Sequence, residues 1–292
     1  TYAYIYGHRQ GLEEIITRLT YYQIDTGEVR EYQLSFAISE LKTFFEDLVA
    51  RYLEWAGTVI DWSRRRDESI QDLKFPFATY RPGQRQMAVE AYRAMRDNSQ
   101  LLVQAATGIG KTIAVLYPAV KSIAESVSQK IFYLTARTTG RIAAEKALDE
   151  LRAKGLRLKS VTLTAKDKIC FCPDSACNPE ECEYARGHYD RINDAVKAIF
   201  ARDAFTREQI VETASTHRVC PFELSLDLTL WAECIICDYN YVFDPRVYLR
   251  RFFQEENGDY IFLIDQGGNG LGYLGYGLVP LTIVGRNLIG DK

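Results

Sequence analysis

Short apolar runs alternate with longer amphipathic stretches from about residue 80 onward. The runs lie at residues 101–106, 130–135, 160–164, 233–238 and 260–265. Such runs are typical of strands buried on both faces of a parallel sheet. Helical periodicity at about 84–97, 111–126 and 138–154 separates the first three runs, which indicates βα units. The pattern therefore predicts an α/β fold built on a parallel sheet.

The chain before residue 80 has a different pattern. Two alternating runs, 18–24 and 29–34, flank a turn at residues 25–28 and predict a β-hairpin. Apolar residues at helical spacing over 38–67 predict a helix that Ser39 caps and that the polar stretch 63–68 ends. Residues 75–82 are typical of a linker that enters a new domain.

Two later segments interrupt the strand–helix alternation. Residues 166–231 contain most of the cysteines and some helical stretches, which indicates an insertion into the sheet domain. Residues 266–277 contain six glycines in twelve positions, and 266–292 lack a helical or strand period. We expect this last segment to be a mobile tail.

Composition narrows the class of protein. With 292 residues, 47% hydrophobic and 26% charged, the chain has an ordinary globular composition for roughly two folded units, which excludes a disordered protein. The sequence offers neither a signal peptide nor an apolar run of the roughly 18 to 20 residues that span a bilayer. A first residue other than Met suggests that the chain starts inside a longer protein.

Charge excludes a protein that coats nucleic acid through its net charge, which is only −3. Residues 137–168, however, carry nine Lys and Arg against four Asp and Glu. This basic strip fits a nucleic-acid backbone, and it fits equally the solvated face of a helix.

The strongest chemical signal is the segment Ala106-Thr-Gly-Ile-Gly-Lys-Thr112, which lies between a predicted strand and a predicted helix. This is the context of a phosphate-binding loop. Its backbone would surround the phosphates, Lys111 would neutralise the β- and γ-phosphates, and the Thr112 hydroxyl would bind magnesium. Ala105 replaces the first glycine of the general pattern, and an accidental Gly-Lys-Thr loop is the alternative. The predicted nucleotide-binding loop residues are Thr107, Gly108, Ile109, Gly110, Lys111 and Thr112.

Two further segments strengthen the nucleotide interpretation. In Tyr80-Arg-Pro-Gly-Gln84, the glutamine amide can recognise adenine N6 and N7, and Arg81 can brace it. Alone, such a pair is usually part of a solvated face. Asp265 ends an apolar strand, where nucleotide hydrolases place a carboxylate that organises magnesium. A strand that merely ends in a polar residue is the simpler alternative.

The cysteines predict a metal centre. Cys170, Cys172, Cys177 and Cys182 are followed by Cys220, so five thiols compete for the four places of an iron–sulfur cluster or a zinc ion. The paired C-x-x-C spacing of many zinc sites is absent from this set. The remaining two, Cys234 and Cys237, are predicted to be core thiols. Seven cysteines, an odd number, argue against a secreted disulfide scaffold and for a reducing cytosol.

In this order, these motifs resemble the first motor domain of XPD/DinG-like superfamily 2 DNA helicases over about residues 75–265. Residues 80–84 match the adenine motif, residues 106–112 motif I, and residues 133–138 motif Ia, which touches single-stranded DNA. The resemblance implies DNA contacts by Thr135, Arg137 and Thr138. It also implies that Cys170, Cys177, Cys182 and Cys220 hold a [4Fe-4S] cluster, with Cys172 as a spare.

The implied activity is ATP- and Mg²⁺-dependent movement along single-stranded DNA, typically 5′ to 3′, with separation of duplexes in DNA repair or replication. The implied partners are single-stranded DNA and duplex junctions. We expect a monomer without membrane contact, in the bacterial cytoplasm. The predicted domains are a motor part at 68–165, the cluster insertion at 166–231, the rest of the motor at 232–265 and an aberrant tail at 266–292.

Residues 1–67 resemble the end of a RecB/Cas4-like PD-(D/E)xK nuclease domain. Tyr2-Ala-Tyr-Ile-Tyr6 is similar to the end of its Q-x-x-x-Y helix, and residues 19–23 to the strand that follows. An Asp/Glu-x-Lys pair with an acidic partner is missing, so the resemblance implies a remnant without the nuclease centre.

Motif II departs from the helicase pattern. The family has Asp-Glu-Ala-His, whereas Asp265 precedes Gln266-Gly-Gly268. The amide of Gln266 cannot take a proton as the missing glutamate can. We therefore expect a frameshifted or truncated gene fragment that binds nucleotide weakly and hydrolyses it poorly. The alternatives are an iron–sulfur protein that binds DNA or senses redox state, with a relic loop, and a zinc-stabilised P-loop ATPase that is not a helicase.

Overall fold

The computed structural model describes residues 1–106, 108–253, 258–266 and 281–286. The chain divides into two compact units, Thr1–Arg64 and Arg65–Lys292. The division falls close to the domain boundary predicted after residue 67. Within the described residues, no helix is both long and apolar enough to cross a membrane.

The first unit contains helix α1 (Tyr2–Gln10), strands β1 (Glu14–Tyr22) and β2 (Val29–Ala37), and the first part of α2 (Ile38–Asp72). The two strands pair antiparallel from Glu14 opposite Ala37 to Tyr22 opposite Val29, which confirms the hairpin and lengthens both strands.

Helix α2 differs from the prediction at both ends. It starts at Ile38, so Ser39 lies inside the helix, and the Glu40 carboxylate instead accepts the backbone N–H of Ala37 at 3.1 Å. The helix continues through the polar stretch 63–68 to Asp72, so the predicted end is wrong. Arg and Glu in that stretch favour helix, and the burial of Trp62 and Ile70 on either side of it stabilises the longer helix.

The second unit alternates strands and helices as predicted. Its strands are β3 (Gln100–Gln104), β4 (Lys130–Leu134), β5 (Ser160–Thr162), β6 (Ala204–Phe205), β7 (Cys234–Cys237), β8 (Tyr260–Gln266) and β9 (Leu281–Arg286). Its helices are α3 (Gln84–Arg96), α4 (Lys111–Ala124), α5 (Thr138–Arg152), α6 (Lys166–Ile169), α7 (His188–Phe200), α8 (Arg207–His217), α9 (Pro221–Leu228), α10 (Asn240–Phe243) and α11 (Arg250–Phe253).

These strands form one sheet in the order β3-β9-β8-β4-β7-β5-β6. The pairs among β8, β4, β7, β5 and β6 are parallel. Strand β9 is antiparallel to both of its neighbours, β3 and β8. The predicted α/β fold with a largely parallel sheet is therefore confirmed.

Two strands lie where the sequence did not predict them. Strand β6 comes from the insertion and pairs with β5 at the edge of the sheet. Strand β9 lies in the segment predicted to be a mobile tail, so that prediction is wrong for residues 281–286. Its Leu-Thr-Ile-Val start has the β-branched content of a strand, which the preceding glycines obscured. The remainder of the tail lies outside the described residues.

The core of the second unit lies between the sheet and helix α4. Ile131 and Tyr133 of β4 and Ile261 and Leu263 of β8 are buried in one cluster with the apolar face of α4. Because α4 follows the predicted phosphate loop directly, this packing places the loop above the carboxyl ends of β4 and β8.

Candidate nucleotide and nucleic-acid site

The predicted phosphate loop connects β3 to α4. Gly108 and Gly110 have φ angles of 86° and 82°, a left-handed conformation that favours glycine. Lys111 turns back over the loop, and its Nζ donates to the carbonyl oxygens of Ala105 at 3.1 Å and Ala106 at 3.0 Å. Partial burial lowers the pKa of Lys111, and the nearby Asp265 carboxylate opposes that shift. Thr107 lies outside the described residues.

The predicted adenine motif contacts the loop itself. Gln84 is buried, and its Nε2 donates to the Gly110 carbonyl at 3.2 Å while its Oε1 accepts the backbone N–H of Arg81 at 3.0 Å. The Arg81 guanidinium donates to the Gly108 carbonyl. Tyr80 stacks on Phe75 with ring centroids 4.0 Å apart. In this structure, Arg81 and Gln84 therefore hold the loop, and adenine recognition stays a prediction.

Asp265 lies at the end of β8 on the same side of the sheet as Lys111. The Tyr133 hydroxyl donates to its Oδ2 at 3.1 Å, and the Tyr239 hydroxyl donates to its backbone carbonyl at 2.6 Å. Gly140, in the first turn of α5, is closely packed here: a Cβ would collide with the Thr135 hydroxyl and lie 3.1 Å from Asp265 Oδ2. The two residues predicted to bind magnesium are thus in one site, because the Thr112 side chain also lies beside the Tyr133 hydroxyl.

The five cysteines of the predicted metal centre gather in one region. The Lys166 ammonium hydrogen-bonds to the Cys177 thiol, which raises the pKa of Lys166, and the Cys170 and Cys220 thiols reinforce that rise. Burial raises the pKa of Cys172, whose thiol also hydrogen-bonds to Cys182. All seven cysteines of the chain are free thiols.

Helices of the insertion position Cys220. It lies at the N-terminus of α9, where burial raises the pKa of its thiol and the backbone N–H groups of Phe222 and Glu223 oppose that rise. Its own N–H donates to His188 Nδ1 at 3.3 Å.

The thiols are gathered but not arranged around one point. In the described part of the chain, no group of three or more His, Cys, Asp or Glu side chains is placed to hold a metal ion. The donor set itself suits an iron–sulfur cluster, because thiolates are its usual ligands. Cys234 and Cys237 are buried in β7, as predicted for core thiols, and burial raises the pKa of Cys234 to about 12.

A cavity of about 770 Å³ lies beside the cysteine region, between the carboxyl ends of the parallel strands and the helices α6, α9 and α11. We call it the basic groove. Its cationic lining residues outnumber its single acid, Asp238, and three aromatic rings accompany them. The cationic and aromatic lining residues are Arg141, Lys166, Lys168, Arg250, Arg251, Phe222, Tyr241 and Tyr248.

The predicted DNA-contacting residues lie at the rim of the basic groove in two different environments. Thr138 lines the groove, and Arg137 before it is exposed. Thr135 is buried, and its hydroxyl accepts the Arg137 backbone N–H at 3.3 Å. Thr135 therefore shapes this turn, and the direct DNA contact predicted for it does not fit its burial.

The basic residues of the strip 137–168 do not all lie in one place. Arg141, Lys166 and Lys168 line the groove. At the opposite end of the strands, Arg152 donates to the carbonyls of Leu158 and Asp203 at 3.0 and 2.9 Å, so its charge serves the fold.

Sequence reasoning missed several residues of the site. Tyr133 lies within the recognised residues 133–138, and Tyr239 directly follows the predicted strand at 233–238, but their contacts with Asp265 depend on the folded sheet. Arg250 and Arg251 lie well beyond the basic strip, which ends at residue 168. The run Tyr248-Leu-Arg-Arg251 mixes aromatic and basic residues, and that was the available signal.

Part of this chain is similar to known proteins. Residues 135–270, just under half of the chain, match the DEAD_2 family model. Regulator of telomere elongation helicase 1 from Rattus norvegicus is 23% identical over 224 residues, which cover 60% of this chain and 18% of that protein.

The XPD helicase subunit of general transcription and DNA repair factor IIH is similar as well. The Dictyostelium discoideum protein is 21% identical and the Arabidopsis thaliana protein 24% identical, over 61% and 68% of this chain. Two solved structures, XPD_Helicase and Truncated XPD, have TM-scores of 0.45 and 0.43 at 18% and 19% identity. They cover 65% and 62% of this chain, and 33% and 51% of their own chains are matched.

These sequence matches confirm the resemblance of the second unit to XPD/DinG-like helicases. The chain spans 18%, 27% and 31% of the length of the three curated relatives named. The nuclease-like character of residues 1–67 stays a prediction.

Proposed function

We propose that this chain is the nucleotide-binding half of an ATP-dependent DNA helicase motor with an iron–sulfur insertion. One observation carries the proposal: Lys111 and Thr112 at the start of α4 share a site with Asp265 at the end of β8. This combination of phosphate loop, magnesium-binding hydroxyl and strand-end carboxylate serves phosphoryl transfer from nucleoside triphosphates.

The chemistry of the chain's own residues follows from their positions. Helix α4 is 14 residues long, and the positive N-terminal end of its dipole favours a phosphate group. Lys111 would exchange its two carbonyl contacts for phosphate oxygens, which compete better for an ammonium group. Thr112 and Asp265 would hold Mg²⁺, which neutralises phosphate charge when bound. Gln266 does not supply a carboxylate to act on water, so we expect slow hydrolysis by this chain.

The basic groove supports single-stranded DNA as the second ligand. A groove with a surplus of cations attracts the phosphate backbone, and aromatic rings offer stacking surfaces for unpaired bases. Thr138 and exposed Arg137 connect the groove to the first turn of α5, whose Gly140 packs against Asp265. A DNA strand in the groove would thus lie next to the nucleotide site.

The cysteine region supports the cluster. Cys170, Cys177, Cys182 and Cys220 would hold a [4Fe-4S] cluster. Burial raises the pKa of the Cys220 thiol, and the N–H groups directed at its sulfur oppose that rise. Seven free thiols are consistent with a reducing compartment such as a bacterial cytoplasm. We further propose that the chain acts as a monomer at duplex junctions.

Nucleotide binding by the purified chain tests the proposal. Lys111→Ala removes a charged contact worth about 1.5–3 kcal/mol, so we expect its affinity for a fluorescent ATP analogue with Mg²⁺ to fall by roughly ten- to a hundredfold. Lys146→Ala, which removes an equal charge from the exposed face of α5, is the matched control and should bind like the wild type. Equal affinities for wild type and Lys111→Ala would contradict the proposal.

A further inference from the structure

The hydroxyl of Tyr133 connects the two side chains to which we assign magnesium binding. It donates to Asp265 Oδ2 at 3.1 Å. The Thr112 side chain lies beside the same hydroxyl. The Tyr133 hydroxyl therefore lies between the Thr112 side chain and the Asp265 carboxylate to which it donates.

The fold fixes this hydroxyl in place. Tyr133 is only 1% exposed, and its ring is part of the core between β4, β8 and α4. Tyr133 pairs with Leu263 in the parallel register, so Asp265 lies two residues further along on the same face. A buried hydroxyl requires a partner, and the Asp265 carboxylate provides one.

The hydrogen bond to Asp265 matters for a metal ion. Because Asp265 accepts at Oδ2, its other carboxylate oxygen keeps both lone pairs for a cation. The hydroxyl oxygen of Thr112, beside Tyr133, also has lone pairs that can bind a cation. The Tyr239 hydroxyl fixes the same residue at its backbone carbonyl, 2.6 Å away.

We infer that Tyr133 is a positioning residue for magnesium, which orients the Thr112 hydroxyl and the Asp265 carboxylate before the ion binds. The inference rests on the proposed function, since it concerns the same nucleotide site. Groups behind metal ligands typically change metal affinity by roughly ten- to a hundredfold when they are removed.

The test is Tyr133→Phe, which keeps the ring and removes the hydroxyl. Affinity for a fluorescent ADP analogue is measured in EDTA and over a Mg²⁺ titration. We expect unchanged affinity in EDTA and a Mg²⁺ midpoint raised on the order of tenfold. The control is Tyr117→Phe, which removes a hydroxyl that donates to the Leu73 carbonyl at 3.2 Å and should leave the midpoint unchanged.

A second variant separates positioning from stability. Tyr239→Phe removes only the hydrogen bond to the backbone carbonyl of Asp265, so we expect a smaller rise of the Mg²⁺ midpoint. A thermal unfolding curve of each variant checks that it is folded. Normal Lys111-dependent binding with an unchanged midpoint in Tyr133→Phe would overturn this inference alone. Nucleotide binding that does not depend on Lys111 would overturn the proposed function and this inference with it.

Discussion

Lys159 is a lysine whose charge is buried at the end of the sheet opposite the nucleotide site. Its side chain is 0% exposed, and its Nζ donates to the carbonyls of Phe200 and Arg202 at the end of α7. The ammonium lies 4.1 Å from the centre of the Phe200 ring. Burial lowers the pKa of Lys159 to about 8 from the usual 10.5.

This shift makes stability depend on alkaline pH. Between pH 8 and 10.5 the folded chain binds fewer protons at Lys159 than the unfolded chain, so the free energy of unfolding should rise with pH. One such group changes the free energy of unfolding by at most about 1.4 kcal/mol per pH unit. Lys159→Met should reduce that slope, as urea unfolding at several pH values would show. The pKa of Lys130 is also lowered to about 8, so part of the slope remains in the variant. Equal slopes in the wild type and Lys159→Met would contradict this expectation.

Individual residues were predictable only where a local pattern carries their role. Lys111 and Thr112 could be assigned because a strand, a glycine-containing loop and a helix follow one another in the sequence. Lys159 counted as part of a basic strip, whereas the structure buries it. Its position depends on Phe200 at the end of α7, which is 41 residues further along the chain, and no local pattern shows this contact.

At the scale of elements, the basic groove depends on several segments distant in sequence. Lys166 and Lys168 belong to α6, and Arg250 to α11. The Tyr248 ring lies 5.9 Å from the Arg250 guanidinium, so the groove offers cations and rings together. A nucleic-acid strand would contact all of these elements at once.

The groove gives a salt-dependent prediction. The double variant Lys168→Ala/Arg250→Ala should weaken binding of single-stranded DNA. It should also reduce the slope of log K against log salt by about 0.7 for each DNA phosphate that the variant no longer neutralises. The exposed pair Lys146→Ala/Lys154→Ala removes the same charge elsewhere and is the control. Equal weakening in both double variants would assign the effect to overall charge and refute the groove.

The order of strands and helices was predictable from β3 to β5, and strands β7 and β8 were predictable as well, because buried strands and amphipathic helices differ in hydrophobic period. The two-residue strand β6 in the insertion was not predictable. The end of α2 was not predictable, because a run of charged residues can either end a helix or continue it. The burial of Ile70 favours the continuation to Asp72. Strand β9 was hidden because its pairing partners, β3 and β8, precede it by many residues. Only the completed sheet shows where it lies.

At the scale of the whole chain, the insertion joins the proposed motor to an iron–sulfur centre. Cys220 is separated from Cys182 by two helices, α7 and α8, so a shared cluster would crosslink the insertion. A bound metal group stabilises the folded state by its binding free energy.

Iron content tests this assignment. Anaerobically purified wild type should contain iron with acid-labile sulfide and be brown, and Cys220→Ser should lose both iron and thermal stability. Cys172→Ser, the spare by resemblance, should retain the iron. Colourless wild type with one zinc would refute the cluster, as would full iron content in Cys220→Ser.

Strand β9 determines how β3 is attached at the edge of the sheet. Among the described strands, β3 has β9 as its only neighbour, so the strand that leads into Lys111 joins the sheet through residues 281–286 alone. A variant that ends at residue 280 would keep every residue of the loop but would lose the strand that pairs with β3. The proposed phosphate loop would thus depend for its support on residues 281–286, which are distant from it in sequence.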